Sequence, residues 1–193
     1  MAILEVTVQV PESIERLSEK VLGNMGSVYR NAGVHLARCI RNHVRMLAAT
    51  RHSTAQKLGA TPTNHFRASD VPPPISTSSD VTVEVNIPGI SRAYQDLDIY
   101  PTNAENLTIP LHASSYGVKA KDYPGKLFRI RRKGSAEKGN VLYSNLDGDL
   151  TPIYSLVKHV HQVRDPSLMP EDDKMTDEAV QGATDAIMKL LQQ

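Results

Sequence analysis

The spacing of apolar residues predicts one strand and then two helices in the first quarter of the chain. Over residues 3–10, valines at every second position alternate with polar residues, which is typical of a strand with one buried face. Apolar residues then recur at three- and four-residue spacing over residues 12–22 and, for much longer, over residues 24–50. We therefore expect a short helix followed by a long amphipathic one.

A turn-rich segment follows the long helix. Gly59, Pro62 and three consecutive prolines at 72–74 interrupt every periodic pattern, and a Ser/Thr-rich stretch comes next. We predict an extended loop over residues 51–80. Loops of this length are uncommon in compact domains and are often functional or ordered by a partner.

The rest of the chain predicts short strands and a last helix. The strands are predicted at residues 81–87, 107–111, 126–133, 141–146 and 153–163, with a polar connection at 134–140. Acidic residues at 171–173 begin a closing C-terminal helix, predicted within residues 169–193. Because the strands are not interleaved with crossover helices, we predict an α+β fold: one domain over residues 1–193, with an antiparallel or mixed sheet of about five strands, two or three helices and long polar loops.

Composition excludes several classes of protein. The 193 residues include 22 basic and 21 acidic residues, so a strongly polyanion-binding whole is not expected. The single cysteine rules out an internal disulfide and a multi-cysteine zinc module. No apolar run approaches the ~18 residues of a membrane span, and the opening MAILEVTVQV lacks the features of a signal peptide. We expect no membrane partner. We also expect the protein to act where it is made, or in an assembly that forms there.

Charge is uneven along the chain although its total is only +1. Residues 23–70 hold seven basic residues and one acid, and residues 119–138 hold eight basic residues and two acids. Residues 171–193 hold six acids and two basic residues. These segments are either solvated faces or surfaces by which one copy meets another. The basic candidates for a subunit interface or for DNA contact are Arg38, Arg41, Arg45, Arg129, Arg131, Arg132 and Lys133.

Candidate chemical sites are weak. His35, Cys39 and His43 recur at four-residue spacing on the long helix, but three such ligands span ~12 Å and cannot all reach one ion. Cys39 lies in an apolar stripe, which argues against a nucleophile. His159 and His161 fall on one face of a predicted strand, where they are either half-exposed sheet residues or a metal pair. Glycine-rich phosphate loops and hydrolase motifs are missing, so we expect no enzyme, no cofactor and no metal.

The middle of the chain carries a series of short motifs. A strand leads into the turn Pro88-Gly89-Ile90, and the aromatic Tyr94 follows it. Next come the strand Leu107-Thr108-Ile109-Pro110 and an Ala-x-x-Tyr-Gly turn that ends at Tyr116-Gly117. The basic helix before this series, and Asp165-Pro166 with Pro170 after it, complete the pattern.

This series resembles the phage virion morphogenesis family, which includes tail completion and neck proteins of Mu-like tailed phages and prophages. The resemblance covers residues 24–193 approximately; the first strand and helix find no counterpart, and the chain has Gln95-Asp96-Leu97-Asp98 where the family often has a Gly-Gly pair.

The resemblance implies a structural role without catalysis. It implies a component that completes the tail or joins tail to head, in a virion assembled in the host cytoplasm. Its expected partners are copies of itself in a ring, neighbouring head-connector and tail proteins, and DNA in the channel. Two alternatives from the residues remain open: a nucleic-acid-binding module using the basic face of helix 24–50, and a hydrolase or metalloprotein using His159 and His161.

Overall fold

The computed structural model describes residues 12–63, 65–131, 138–146 and 148–192. The strand predicted at residues 3–10 lies outside these described residues, and so do Arg132 and Lys133. Within them the chain forms helices and antiparallel sheets, so the predicted α+β class is confirmed.

The helices follow the periodic patterns of the sequence closely. They are α1 (Glu12–Leu22), α2 (Met25–Thr50), α3 (Ser53–Leu58) and α4 (Asp172–Leu191). The predicted bounds of α1 and α2 agree with these to within a residue, and α4 begins directly after the acidic residue Glu171.

The strands are distributed over three antiparallel sheets. They are β1 (Ile75–Ser76), β2 (Val81–Thr82), β3 (Leu97–Ile99), β4 (Leu107–Pro110), β5 (Phe128–Arg131), β6 (Lys138–Leu146), β7 (Asp149–Val157) and β8 (Val160–Gln162). β1 pairs with β2 and β3 pairs with β8, while the largest sheet has the order β4-β7-β6-β5. The strands predicted at residues 126–133 and 141–146 correspond to β5 and β6, which pair with each other, and β4 is an edge strand, where a proline is tolerated.

By its internal contacts the chain divides into two compact units. Unit 1 comprises the chain up to Val44, Ala68–Asn86 and the chain from Met169. Unit 2 comprises Arg45–Arg67 and Ile87–Leu168. Unit 1 therefore holds α1, most of α2, the β1–β2 hairpin and α4, and unit 2 holds α3 and the other two sheets.

Unit 1 is built around α2. The apolar stripe predicted on this helix is buried at Val28, Ala32, Cys39, Ile40 and Val44. α4 crosses α2 closely at Gly182, where a Cβ atom would lie 2.6 Å from the Asn31 carbonyl oxygen. α1 also contacts α4. Only a glycine, which has no Cβ atom, permits this approach. The packing of α4 on α2 therefore requires Gly182.

Part of the segment predicted as an extended loop packs on α2, which corrects that prediction. Residues 51–80 contain α3, a 3-10 turn at Ala68–Asp70 and the strand β1. Val71 is buried, and Pro74 and Val81 lie against Gly33 of α2 so closely that a Cβ atom there would fall 2.9 Å from Pro74 Cβ. The turn residues did mark the bends, but they could not show that apolar residues between them reach a helix.

The strand predicted at residues 81–87 is shorter than its pattern. The alternation is real, because Val81, Val83 and Val85 are half-buried and Ile87 is buried. Only Val81 and Thr82 form a ladder, with Ser76 and Ile75 as partners. An alternating pattern reports a buried face, whereas a strand also needs a neighbouring chain with which to pair.

The core of unit 2 lies on the four-stranded sheet. Tyr123, Ile153 and Tyr154 are buried together, and the two tyrosine rings meet edge to face at 6.0 Å. β6 and β7 form a hairpin whose turn contains Gly148 at φ +92°. This value suits glycine and few other residues, so the turn is specified locally.

The strand predicted at residues 153–163 is two strands in different sheets, which corrects the prediction. β7 ends at Val157, and β8 begins at Val160 beside β3. The apolar-polar alternation continues across the break because both pieces are extended, and period-two spacing carries no sign of a change of partner. The polar connection predicted at 134–140 is also shorter, since β6 begins at Lys138.

Candidate functional site: the Asp165 cluster and its surroundings

The predicted basic residues of α2 differ in their exposure. Arg38 and Arg45 are exposed on α2, but Arg41 is half-buried and its Nε atom donates to the Val71 carbonyl oxygen at 2.9 Å. Arg41 thus takes part in the packing of unit 1, and its role in a subunit interface or in DNA contact stays a prediction.

The second predicted basic group lies in unit 2. Arg129 is exposed on β5, an edge strand, and Arg131 ends that strand. The remaining members, Arg132 and Lys133, fall outside the described residues. A charged edge strand resists unwanted pairing with other strands and can also meet an acidic partner.

The motif turn Pro88-Gly89-Ile90 leads into a cluster of charged and polar residues. Gly89 has φ +75°, and the chain then forms a 3-10 turn at Ile90–Ala93. Arg92 projects from this turn, and its carbonyl oxygen accepts a hydrogen bond from the Asp165 backbone N–H at 2.7 Å. Two motifs that are far apart in sequence are therefore joined in space.

Asp165 binds two arginines at once. Its Oδ2 atom lies 2.5 Å from Arg51 Nη1 and 2.7 Å from Arg92 Nη2, and Ser167 donates to Oδ1 at 2.6 Å. Arg51 also donates to the Ser167 hydroxyl. We call Arg51, Arg92, Asp165 and Ser167 the Asp165 cluster.

The Asp165 cluster keeps its carboxylate charged. The hydrogen bond from Arg51 is the largest cause, and those from Ser167 and Arg92 add to it, so the pKa of Asp165 falls far below its usual range. Partial burial opposes this but is outweighed. The cluster therefore contains two guanidinium charges and one carboxylate charge at neutral pH.

An open depression of about 560 Å³ adjoins the Asp165 cluster within unit 2. Both arginines line it, together with the hydroxyl-bearing residues Ser53 and Thr54. Aromatic rings are supplied by Phe66 and by the motif residue Tyr116. Of the described residues that line it, none is an aspartate or glutamate. We call this feature the Arg51–Arg92 depression.

The motif residue Gly117 directly follows Tyr116, which lines the depression. It has φ +75°, and a Cβ atom there would lie 2.5 Å from Thr63 Cγ2. The glycine thus lets the chain after Tyr116 approach the segment that carries His65 and Phe66. The motif strand at Leu107–Pro110 has a different place, as the edge strand β4.

His159 and His161 occupy the β3–β8 ribbon, and each has a specific neighbour. The His159 ring stacks on Tyr100 at 5.7 Å between centroids. His161 Nδ1 lies 2.9 Å from Asp98 Oδ1, and its Nε2 lies 3.6 Å from Asp96 Oδ2. The hydrogen bond with Asp98 is the main reason that the pKa of His161 is raised.

The helical residues considered for a metal face different surroundings. Cys39 is buried, and desolvation raises the pKa of its thiol. His35 lies 4.0 Å from Glu178 and 3.8 Å from Asp185, both on α4. In the part of the chain that the structure describes, no group of three or more His, Cys, Asp or Glu residues is arranged to hold a metal ion.

No pattern in the sequence singles out Arg51 or Arg92, and Asp165 stands out only as part of the motif Asp165-Pro166. The available signal was position: Arg92 lies two residues after the motif turn, and Arg51 directly follows the long helix. Their convergence could not be read from spacing, since Arg51 and Asp165 are 114 residues apart.

Comparisons of the chain with protein-family models, with curated proteins and with solved structures found no match. None of the described helices has both the length and the apolar content needed to cross a membrane.

Proposed function

We propose that this protein is a structural component of a phage virion that completes the tail or joins it to the head, acting as one copy in a ring around the DNA channel. The observation that carries the proposal is the motif series from Pro88 to Gly117, in an order that resembles the virion morphogenesis family. The fold brings these motifs close together, because Arg92, two residues after the first turn, pairs with Asp165, and both Arg92 and Tyr116 of the last turn line the Arg51–Arg92 depression.

Exposed apolar side chains support a role in assembly. Both units present large apolar residues that are more than half exposed: Leu22, Ile75, Val180 and Met188 in unit 1, and Tyr94, Tyr100, Leu150 and Val163 in unit 2. Single exposed apolar residues are ordinary, but large ones on both units offer contact area to neighbouring subunits.

Charge supports contacts between unlike surfaces of neighbouring copies. The first turn of α4 is acidic, with Asp172 and Asp173 exposed, and Arg129 is exposed on the edge strand β5. In a ring, one patch on each copy meets a different patch on the next copy. An acidic helix meeting a basic strand edge would make such a contact attractive and would disfavour like-charged pairings.

The decisive experiment is electron microscopy of particles produced without this gene. We expect DNA-filled heads that lie apart from tails. Intact, joined virions in the same preparation would overturn the proposal.

A complementation series then tests the exposed apolar residues. Val163→Glu and Val180→Glu each add a charge at an exposed apolar position, one in each unit, and the control Thr102→Glu adds the same charge at an exposed polar position. We expect at least one of the valine variants to fold normally yet fail to restore joined particles, while the control restores them. Full restoration by every variant would argue against assembly through these surfaces.

A further inference from the structure

We infer that the Arg51–Arg92 depression is a binding site for a phosphate-bearing anion. Its volume of about 560 Å³ lies within the ~300–1,000 Å³ usual for ligand pockets. Two guanidinium groups line it, and no carboxylate side chain of the described residues does. This inference stands apart from the proposed virion function and does not depend on it.

The charge balance leaves the site cationic. Arg51 and Arg92 share one carboxylate, Asp165, which stays ionised at neutral pH. One positive charge is therefore left without a counter-charge in the cluster. Asp165 is not one of the residues that line the depression, and its hydrogen bonds with Arg51 and Arg92 orient both side chains.

Arg92 has unused capacity to donate. Its Nη1 atom donates to Gln162 and its Nη2 atom to Asp165, but its Nε atom is buried and has no hydrogen-bond partner. A buried N–H without a partner is costly, and a small shift of the side chain toward an anion would relieve that cost. The planar guanidinium matches the geometry of phosphate oxygens better than an ammonium group does.

Polar side chains complete the site. Ser53, Thr54 and His65 line the same depression, and so do the aromatic residues Phe66 and Tyr116. Hydroxyl donors beside guanidinium groups are typical of phosphate contacts. The mixture favours a phosphate group over a purely apolar ligand.

The first test is calorimetric titration of the full chain with pyrophosphate at fixed ionic strength. We expect saturable binding that weakens about tenfold or more in Thr54→Glu, because the new carboxylate repels the anion at close range. Thr54→Gln is the matched control for size and should keep most of the affinity. If the wild-type protein shows no saturable binding of pyrophosphate, the inference is wrong.

A second control separates a local site from general attraction. Lys57→Glu changes the charge of the same helix by two units at an exposed position outside the lining. We expect it to weaken binding less than Thr54→Glu does. The opposite order would mean that pyrophosphate responds to net charge alone, and the inference would be wrong.

The source of the phosphate is distinguished with a short DNA duplex, followed by fluorescence anisotropy. Binding of the duplex that pyrophosphate competes away and that Thr54→Glu removes would assign the site to a nucleic-acid backbone. Binding of pyrophosphate without the duplex would assign it to a small phosphate compound. Failure of both probes at low salt, where electrostatic binding is strongest, would overturn the inference.

Discussion

Each of the two units of this protein is stabilised internally by a different kind of contact. Unit 1 relies on apolar helix faces and on two glycines, Gly33 and Gly182, that allow close packing. Unit 2 has a sheet core around Tyr123 and Tyr154. The segments that carry Arg51, Arg92 and Asp165 are joined by the ion pairs of the Asp165 cluster. Periodicity marks the buried helix faces of unit 1, but the close contact of Gly182 with Asn31, like the ion pairs of Asp165, joins residues that are distant in sequence.

The two units also differ in how they should respond to pH. The shifted group of unit 1 is the buried thiol of Cys39, which is uncharged in neutral solution. Unit 2 holds Asp165, whose pKa is lowered, and His161, whose pKa is raised. We therefore expect acid to destabilise unit 2 through Asp165.

The largest effect is expected for Gly182→Val in unit 1. The new side chain would meet backbone atoms of Asn31, which cannot give way, and we expect a loss of about 3 kcal/mol in the free energy of unfolding. The loss of stability is measured by denaturant titration in which the reaction of the Cys39 thiol with a labelling reagent is the readout. This thiol is buried and reacts only when α2 opens. Val180→Ala, at an exposed position of the same helix, is the control; an equal loss in both variants would rule out the close approach as the cause.

The next effect is expected for Asp165→Asn in unit 2. Removing the carboxylate leaves two partly buried guanidinium groups without a counter-charge, and we expect a loss of about 2 kcal/mol. Because the chain has no tryptophan, near-ultraviolet circular dichroism of its tyrosines can follow the Tyr123–Tyr154 core. Asp149→Asn, an exposed carboxylate in the same unit, should change stability by less than about 0.5 kcal/mol.

Acid titration sharpens the same contrast. A carboxylate with a lowered pKa stabilises the fold above its unfolded pKa of ~3.9 and loses that contribution as pH falls further. The stability difference between the wild type and Asp165→Asn should therefore be complete near neutral pH and shrink below about pH 4. Denaturant midpoints measured across this range check it, and a difference that stays constant down to the lowest pH would exclude the ion pairs as its source.

The smallest effect is expected at His161 in the exposed β3–β8 ribbon. Nuclear magnetic resonance titration should give His161 a pKa above the ordinary ~6.5. The stabilisation that its protonated form gives is present below the ordinary pKa and fades as pH rises through the raised value. Asp98→Asn should lower the pKa of His161 more than Asp96→Asn does, and the reverse order would contradict the hydrogen-bond geometry.

The sequence predicted the elements whose cause is local. The helix predicted at residues 24–50 is α2, because a stripe at three- and four-residue spacing can be buried in only one secondary structure. The acidic residues at 171–173 predict the closing helix, and two of the runs predicted as strands overlap β5 and β6. The break between β7 and β8 escaped prediction, since both sides of it have the same period.

The candidate site was predicted only in fragments. The motif turn at Pro88 and the pair Asp165-Pro166 were recognised separately, but the contact between Arg92 and Asp165 joins residues 73 positions apart. No spacing rule covers such a distance. Arg41 was placed on the outer helix face by periodicity, yet its Nε donates to Val71 because a distant segment lies there.

By itself, the sequence determined the α+β class, the long amphipathic helix and the turns that require glycine, because each depends on residues within a few positions of one another. Tertiary structure alone decided which strands pair, which arginines share Asp165 and that a cationic depression forms between Arg51 and Arg92. These features depend on distances across the folded chain. Such distances are set by the packing of whole elements, which no local pattern encodes.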